Sequence, residues 1–288
     1  MTVIGFLVNR DNVSNSYLSN CLNSLARTVD SIVIYDDAST EDVRPLYLSV
    51  DATVIYGRHP AFQRELFSKQ ALLKVALQQQ PDFLIWIDGD AVLGRHFESR
   101  ERTEKILTNM VAQQIDLLHL HNLNLFRSNF WYRVDQKFND LDHGVIWKNS
   151  GEMHYRPIAR LHQKQYPQFY RDVDRPIVAS KFEQPDGQLL HFGFASEIEI
   201  ARKYFTYRAH GQTGWALDRL VDESTLDLKP ARKDWFPEWL LPALGEPGGA
   251  PVPFFTPESM RTFSGFDEWL DDYHGRRSDM QVEGALQL

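Results

Sequence analysis

Asp88-Gly89-Asp90 follows the apolar run Phe83-Leu84-Ile85-Trp86-Ile87 and precedes Ala91-Val92-Leu93. Two carboxylates separated by one glycine can converge on a single hard cation and its phosphate ligands, because the glycine lets the backbone turn tightly between them. A second acid pair, Asp36-Asp37, follows a similar run, Ile32-Val33-Ile34-Tyr35, and leads into Ala38-Ser39-Thr40. Further along, His191 offers a nitrogen ligand for a metal, and Lys203 a positive charge for a diphosphate. Lys69 falls near the middle of an apolar stripe formed by Phe62, Leu66, Leu73, Ala76 and Leu77. A lysine there is costly unless it snorkels to an edge or meets an anion, and a phosphate near Asp88 and Asp90 is a candidate. Each feature has a plain structural reading beside the chemical one. Asp-Gly is common in turns, and a strand histidine by default makes a structural hydrogen bond.

The elements that must carry these residues alternate regularly. Residues 3–8, 32–35, 52–56 and 83–87 read as short buried strands. Between them, Ser14 is positioned to cap a helix with Leu18, Cys21, Leu22 and Leu25 on one face, and residues 62–79 form a long helix. Alternation of strand and helix predicts an α/β fold with a mostly parallel sheet and right-handed crossovers. Ligands of such sheets bind at the carboxyl ends of the strands, where both acid pairs fall. A helix over 99–113 and a strand over 115–121 follow, the strand carrying His119 and His121 on one face. That spacing suits some metal sites, but two hydrogen-bonded groups on a half-exposed face is the more economical reading.

Residues 122–175 are aromatic and charged without clean periodicity, a composition that suits either a sugar-stacking surface or an irregular core. Residues 187–194 return to strand character, with Leu190, Phe192 and Phe194 on one face and His191 on the other. Ser196 and Glu199 have capping-box spacing for a helix bearing Arg202, Lys203, Tyr204, Tyr207 and Arg208, which stops near Gly211. Beyond Trp215 the chain is rich in Trp and Pro and reads as an extension wrapped on the core. A short helix is expected over 257–273 and no structure in the last dozen residues.

A chain of 288 residues can bury one large domain or a main domain with a smaller addition. Its net charge of −8 disfavours a general nucleic-acid or anionic-membrane binder. The single cysteine, Cys21, excludes an intrachain disulfide and agrees with a reducing compartment. No stretch is long and apolar enough to cross a membrane, and the N-terminal apolar run is too short for a signal peptide. A cytoplasmic protein is expected.

Tyr35-Asp36-Asp37-Ala38-Ser39-Thr40-Glu41-Asp42 resembles the "VDDGSTD" element of family 2 glycosyltransferases. About fifty residues on, Ile85-Trp86-Ile87-Asp88-Gly89-Asp90 resembles their DXD motif, and the first strand with Asn9-Arg10-Asp11-Asn12 is similar to the start of their nucleotide-binding half. The resemblance implies a GT-A (Rossmann-like) catalytic domain over 1–215, with a nucleotide-binding half over 1–95 and an acceptor and metal half over 96–215. Residues 216–288 would be the Trp/Pro-rich extension. It further implies a sugar moved from a nucleoside-diphosphate donor, a UDP-sugar first among them, with Mn²⁺ or Mg²⁺. On that pattern Asp37 bonds the base, helped by Asp36 and by backbone near Val8 and Arg10. Asp88, with Gly89, approaches the ribose or a metal-bound water, and Asp90 and His191 ligate the metal. Lys69 and Lys203 meet the phosphates. An inverting enzyme needs a general base, for which Asp142 leads over Asp140 and Asp135. The family's usual "E-D" pair is absent there.

Three other readings compete. A haloacid-dehalogenase-type phosphohydrolase would use Asp88 as nucleophile, but its motif normally lies on the first strand and would leave Asp36-Asp37 unexplained. A nucleotidyltransferase needs a Gly-rich, Arg-containing phosphate loop, which residues 9–14 lack. A non-catalytic sugar-binding module would have little reason to keep both acid pairs.

Overall fold

A computed structural model describes residues 1–60, 65–135, 138, 142–149, 153–155, 168–169, 177–183 and 189–285. The first half alternates strands and helices as expected: β1 (Val3–Asn9), α1 (Tyr17–Ala26), β2 (Ser31–Asp36), α2 (Arg44–Ser49), β3 (Thr53–Tyr56), α3 (Glu65–Gln78) and β4 (Phe83–Trp86). These four strands are all parallel and lie in the order β3-β2-β1-β4. The chain therefore leaves β1 on one side to make β2 and β3, and returns to its other side to make β4. A crevice opens at the carboxyl ends where that reversal occurs.

The second half adds β5 (Ala91–Leu93), α4 (Arg100–Ala112), β6 (Leu117–Phe126), β7 (Trp131–Arg133) and β8 (Asp142–Lys148). A separate ribbon pairs β9 (Met153–His154) with β10 (Gln168–Phe169). The rest of the sheet comes from β11 (Ala179–Lys181), β12 (Leu189–Phe194) and β13 (Leu228–Pro230), with α5 (Glu197–Ala209) following β12. Strand β8 inserts antiparallel between β4 and β6. The ten residues of β6 change partners along their length: the first half pairs with β8 and β11, the second with β12 and β7.

Alternation along the strands builds two core layers. Val3, Leu7, Ile34, Phe83 and Ile85 face α1 and α4, meeting Leu18, Leu22, Leu25 and Met110. Ile4, Phe6, Val33, Leu84 and Trp86 face α3, meeting Leu72, Leu73 and Ala76. All four residues of β4 are buried, each side chain contributing about 2 kcal/mol of hydrophobic stabilisation. Residues beyond 216 pack on the same body: Val221, Phe255 and Trp269 join α5, and Phe236 and Leu240 join β6 and β12. No helix among the described residues is long and apolar enough to cross a membrane.

Several expectations change. Ser14 does not cap α1; the flanking residue is Ser16, in a left-handed conformation, and the amide of Tyr17 is met by the Asn15 side chain. Strand β3 is not buried, because it is the sheet's edge and pairs only with β2, leaving Thr53 and Tyr56 exposed. The strand expected over 115–121 runs on to Phe126, since Asn122 and Asn124 are buried and bonded within the structure. Toward the C-terminus two helices form, Pro257–Arg261 and Phe266–Ala285, so residues 277–285 continue a helix rather than lacking structure, while 286–288 lie outside the described residues. Residues 62–64 of the long helix lie outside the described residues.

Candidate functional site

The crevice at the strand reversal is a cavity of about 730 Å³. Strand β1 contributes Val8 and the following Arg10, β2 leads into Asp37, and β4 supplies Trp86 and leads into Asp88, Gly89 and Asp90. His191 on β12 and Lys203 on α5 close the opposite wall, and Lys69 on α3 borders it. Nine expected residues thus share one cavity.

The loops after β1 and β2 are tied together. Asp11 accepts the amides of Thr40 and Glu41 at 2.6 and 3.0 Å, while its own amide donates to Ser39 Oγ at 2.8 Å. Glu41 returns the favour by accepting the amides of Val13 and Ser14. Asp36 is the exception among the expected binding residues. It does not line the cavity but is buried, accepting from Tyr47 Oη at 2.7 Å and from the amide of Ser39 at 2.9 Å. Its work is to shape the turn that presents Asp37, with Ala38 taking a left-handed conformation. Gly89 sits where a Cβ would come within 2.7 Å of Asn9 Oδ1, so this wall tolerates only a glycine's close approach.

Lys69 neither snorkels nor waits for a phosphate alone. It is buried, 2.6 Å from Glu65 one helical turn earlier, with its ammonium 5.0 Å from the centre of the Trp86 ring.

At the far wall, Ser196 caps α5 by accepting from the Glu199 amide, as the spacing predicted, and Glu199's carboxylate pairs with Arg202. The cap fixes where the first turn begins, and two turns on Lys203 reaches Asp90. Its ammonium lies 2.8 Å from Asp90 Oδ2 and 3.4 Å from His191 Nε2, while His191 Nε2 is 3.3 Å from Asp90 Oδ1. Asn124 orients the imidazole: its Nδ2 donates to the Phe138 carbonyl, which turns Oδ1 toward His191 Nδ1 at 2.7 Å. Nδ1 therefore carries the proton in that bond and Nε2 faces the acid. Burial would raise the Asp90 pKa, but Lys203 and His191 outweigh it and hold the carboxyl well below its usual range. Burial would likewise lower Lys203, and the Asp90 carboxylate overrides that and raises it.

Asp88, Asp90 and His191 were expected to ligate a metal. Among the described residues, no group of three or more His, Cys, Asp or Glu side chains stands ready as a metal site. Asp90 and His191 offer an oxygen and a nitrogen donor of the kind Mn²⁺ or Mg²⁺ would take, and the Lys203 ammonium stands between them. It is a stand-in that any metal must displace.

The expected general bases do not converge here. Asp135 is held by Arg133, bridged through both carboxylate oxygens at 2.8 Å, and Asp142 pairs with Lys181 and with His121 at 3.3 Å. Neither lines the cavity: Asp135 lies two residues past β7, and Asp142 opens β8. Asp140 lies outside the described residues. Burial lowers the pKa of His119, and His121 bonds Asp142, the hydrogen-bonded reading of this strand face.

Glu199, Arg202 and Tyr207, expected on α5, also line the cavity, as do Asp11, Glu41 and His210, which the sequence did not single out. For the α5 residues a signal existed, since Arg202, Thr206 and His210 recur at helical spacing around Lys203. Asp11 and Glu41 had none, because loop-to-loop hydrogen bonds leave no periodicity.

No protein-family model matches the chain, and no curated protein matches it. Among solved structures, S. aureus TarS 1-349 overlaps at a TM-score of 0.42 and 13% identity, covering 76% of this chain and 69% of that one. TarS 1-349 in complex with UDP-GlcNAc overlaps at a TM-score of 0.37 and 16% identity, over 51% and 45%. S. aureus TarS itself gives the same score and identity, over 51% and 28%. The chain thus spans less than half the length of the TarS chain and of its UDP-GlcNAc complex.

Proposed function

We propose that this chain is a nucleotide-sugar-dependent glycosyltransferase of the GT-A type, its catalytic domain spanning residues 1–215, with a UDP-sugar as donor. The supporting observation is that Asp37, after β2, and Asp88 and Asp90, after β4, border one cavity at the strand reversal although about fifty residues separate them in sequence. In this reading Asp37 meets the base, Asp88 the ribose, and the Asp90–His191–Lys203 cluster the diphosphate. Leaving-group departure builds negative charge on the β-phosphate, and a divalent cation bound at Asp90 and His191 would stabilise it as a Lewis acid. Lys203 and Arg202 add positive charge on the same wall.

The test is to incubate the protein with a panel of nucleotide sugars and Mn²⁺ and measure release of nucleoside diphosphate. Release from one donor, abolished in Asp90→Ala, is the expected result. Binding without release identifies a non-catalytic module. Phosphate release from a simple monoester, lost in Asp88→Asn, favours the phosphohydrolase instead.

A further inference from the structure

The wall that should receive a metal already holds a positive charge, and the fold is shaped around it. Lys203 reaches Asp90 Oδ2 at 2.8 Å across a gap of 113 residues in sequence. Its ammonium lies 4.6 Å from the centre of the Phe194 ring and within 3.4 Å of His191 Nε2. Space for it exists because residue 193 is glycine: a Cβ there would stand 1.9 Å from the ammonium and 2.4 Å from Asp90 Oδ2. The amide of Phe192 donates to the Asp90 carbonyl at 2.8 Å, which locks the acid's backbone to the strand that carries His191.

Two properties make this lysine exchangeable rather than permanent. Its side chain retains 21% exposure and lines the cavity, so the long aliphatic stem can carry the ammonium toward a ligand there. Its contacts are to the same two side chains that a hard cation would need. A lysine ammonium and a divalent cation cannot share the space between Asp90 and His191.

We propose that Lys203 occupies the cation position until a diphosphate draws its ammonium away, so that divalent metal and diphosphate bind cooperatively and the metal alone binds poorly. The exclusion of metal by Lys203 stands on the geometry alone; the transfer to phosphate rests on the nucleotide-sugar reading above. By linkage, each ligand then raises the other's affinity by the same factor.

The experiment counts free Mn²⁺ by electron paramagnetic resonance while it is titrated with the full chain, with and without UDP. For the wild type, affinity for Mn²⁺ should rise at least tenfold when UDP is present. Lys203→Met should bind Mn²⁺ at least tenfold more tightly than the wild type in the absence of UDP, and should lose most of the effect of UDP. Lys203→Gln provides an independent variant, and circular dichroism establishes that both are folded. Adding Asp90→Asn to Lys203→Met should abolish the gained Mn²⁺ binding. Equal Mn²⁺ affinity in wild type and in both folded Lys203 variants overturns the exclusion. A gain in the variants with no effect of UDP on the wild type overturns the transfer step and the donor reading, and leaves the exclusion standing.

Discussion

Tyr47 donates its hydroxyl to Asp36 at 2.7 Å and accepts from Asn9 Nδ2 at 3.1 Å, joining α2 to the ends of β1 and β2 in one buried polar knot. Burial and the neighbouring Asp36 carboxylate both push the Tyr47 phenol well above its usual pKa, so it stays a donor. Asp36 was expected in the nucleotide site, yet it acts from beneath, fixing the turn on which Asp37 stands. Tyr47→Phe strands a buried carboxylate oxygen. It should lower unfolding stability by roughly 1–3 kcal/mol, read as a reduced urea midpoint at unchanged slope.

Gly193 leaves the room that the ends of the Lys203, Asp90 and His191 side chains fill. An alanine methyl would press on the Lys203 ammonium, on Asp90 and, at 2.7 Å, on His191 Nε2. Gly193→Ala should therefore destabilise the chain by about 1–3 kcal/mol through overpacking, measured by thermal or urea unfolding. Gly248, whose Cβ would meet nothing within 4 Å, is the control, and Gly248→Ala should be close to neutral.

Arg133 is fully buried, with its centre 4.5 Å from the Phe138 ring centre and 4.9 Å from that of Phe126, and Asp135 is its carboxylate partner. Asp135→Asn leaves that guanidinium without a counter-charge. We expect a loss of about 3–5 kcal/mol in stability with turnover at saturating donor unchanged. A collapse of turnover in a folded variant would return Asp135 to the role of base.

Acid should unfold the chain through carboxylates that carry partners. Asp30, Asp135 and Asp142 each titrate below the ordinary value: burial is the largest single influence and raises them, but hydrogen bonds and charge from Arg100, Arg133 and Lys181 respectively, with their other partners, together outweigh it. A depressed folded pKa means that the unfolded chain takes up protons first. The stabilisation is therefore complete above the unfolded value of about 3.9 and is lost as pH falls through the lower folded values. Urea midpoints should be flat above about pH 5 and fall below about pH 4. Asp142→Asn should make that fall shallower.

The N-terminal half was legible because its signals are local. Short apolar runs mark strands of a parallel sheet, two of them leading into acid pairs, and the carboxyl end of such a strand is a place as well as a sequence position. His191 and Lys203 were legible through the strand and the Ser196 cap, but strict alternation fails at the irregularity between His191 and Phe194, which turns Phe194 to the cavity beside His191 instead of to the face of Leu190 and Phe192. Asp135 and Asp142 were not, because an acid's type does not say which cation it will meet, and β8 enters the sheet antiparallel between strands far apart in sequence. The helix Phe266–Ala285 was hidden by its polar composition and by Gly275; aromatic stacking of Trp269 with Phe266 and Tyr273 anchors its first part to the body.

The insertion of β8 has a consequence for how the chain is made. Strand β4 is bordered by β1 on one side and by β8 on the other, and Phe83 waits for Lys148 as its partner. While the ribosome delivers the intervening residues, the four-strand parallel block is already made and β4, buried along its whole length in the finished sheet, presents a bare backbone edge. Such an edge is a template for pairing with another nascent chain. Yield of native protein should thus depend on translation rate and chaperone supply between residues 87 and 142, a vulnerability that lies in time rather than in the finished structure.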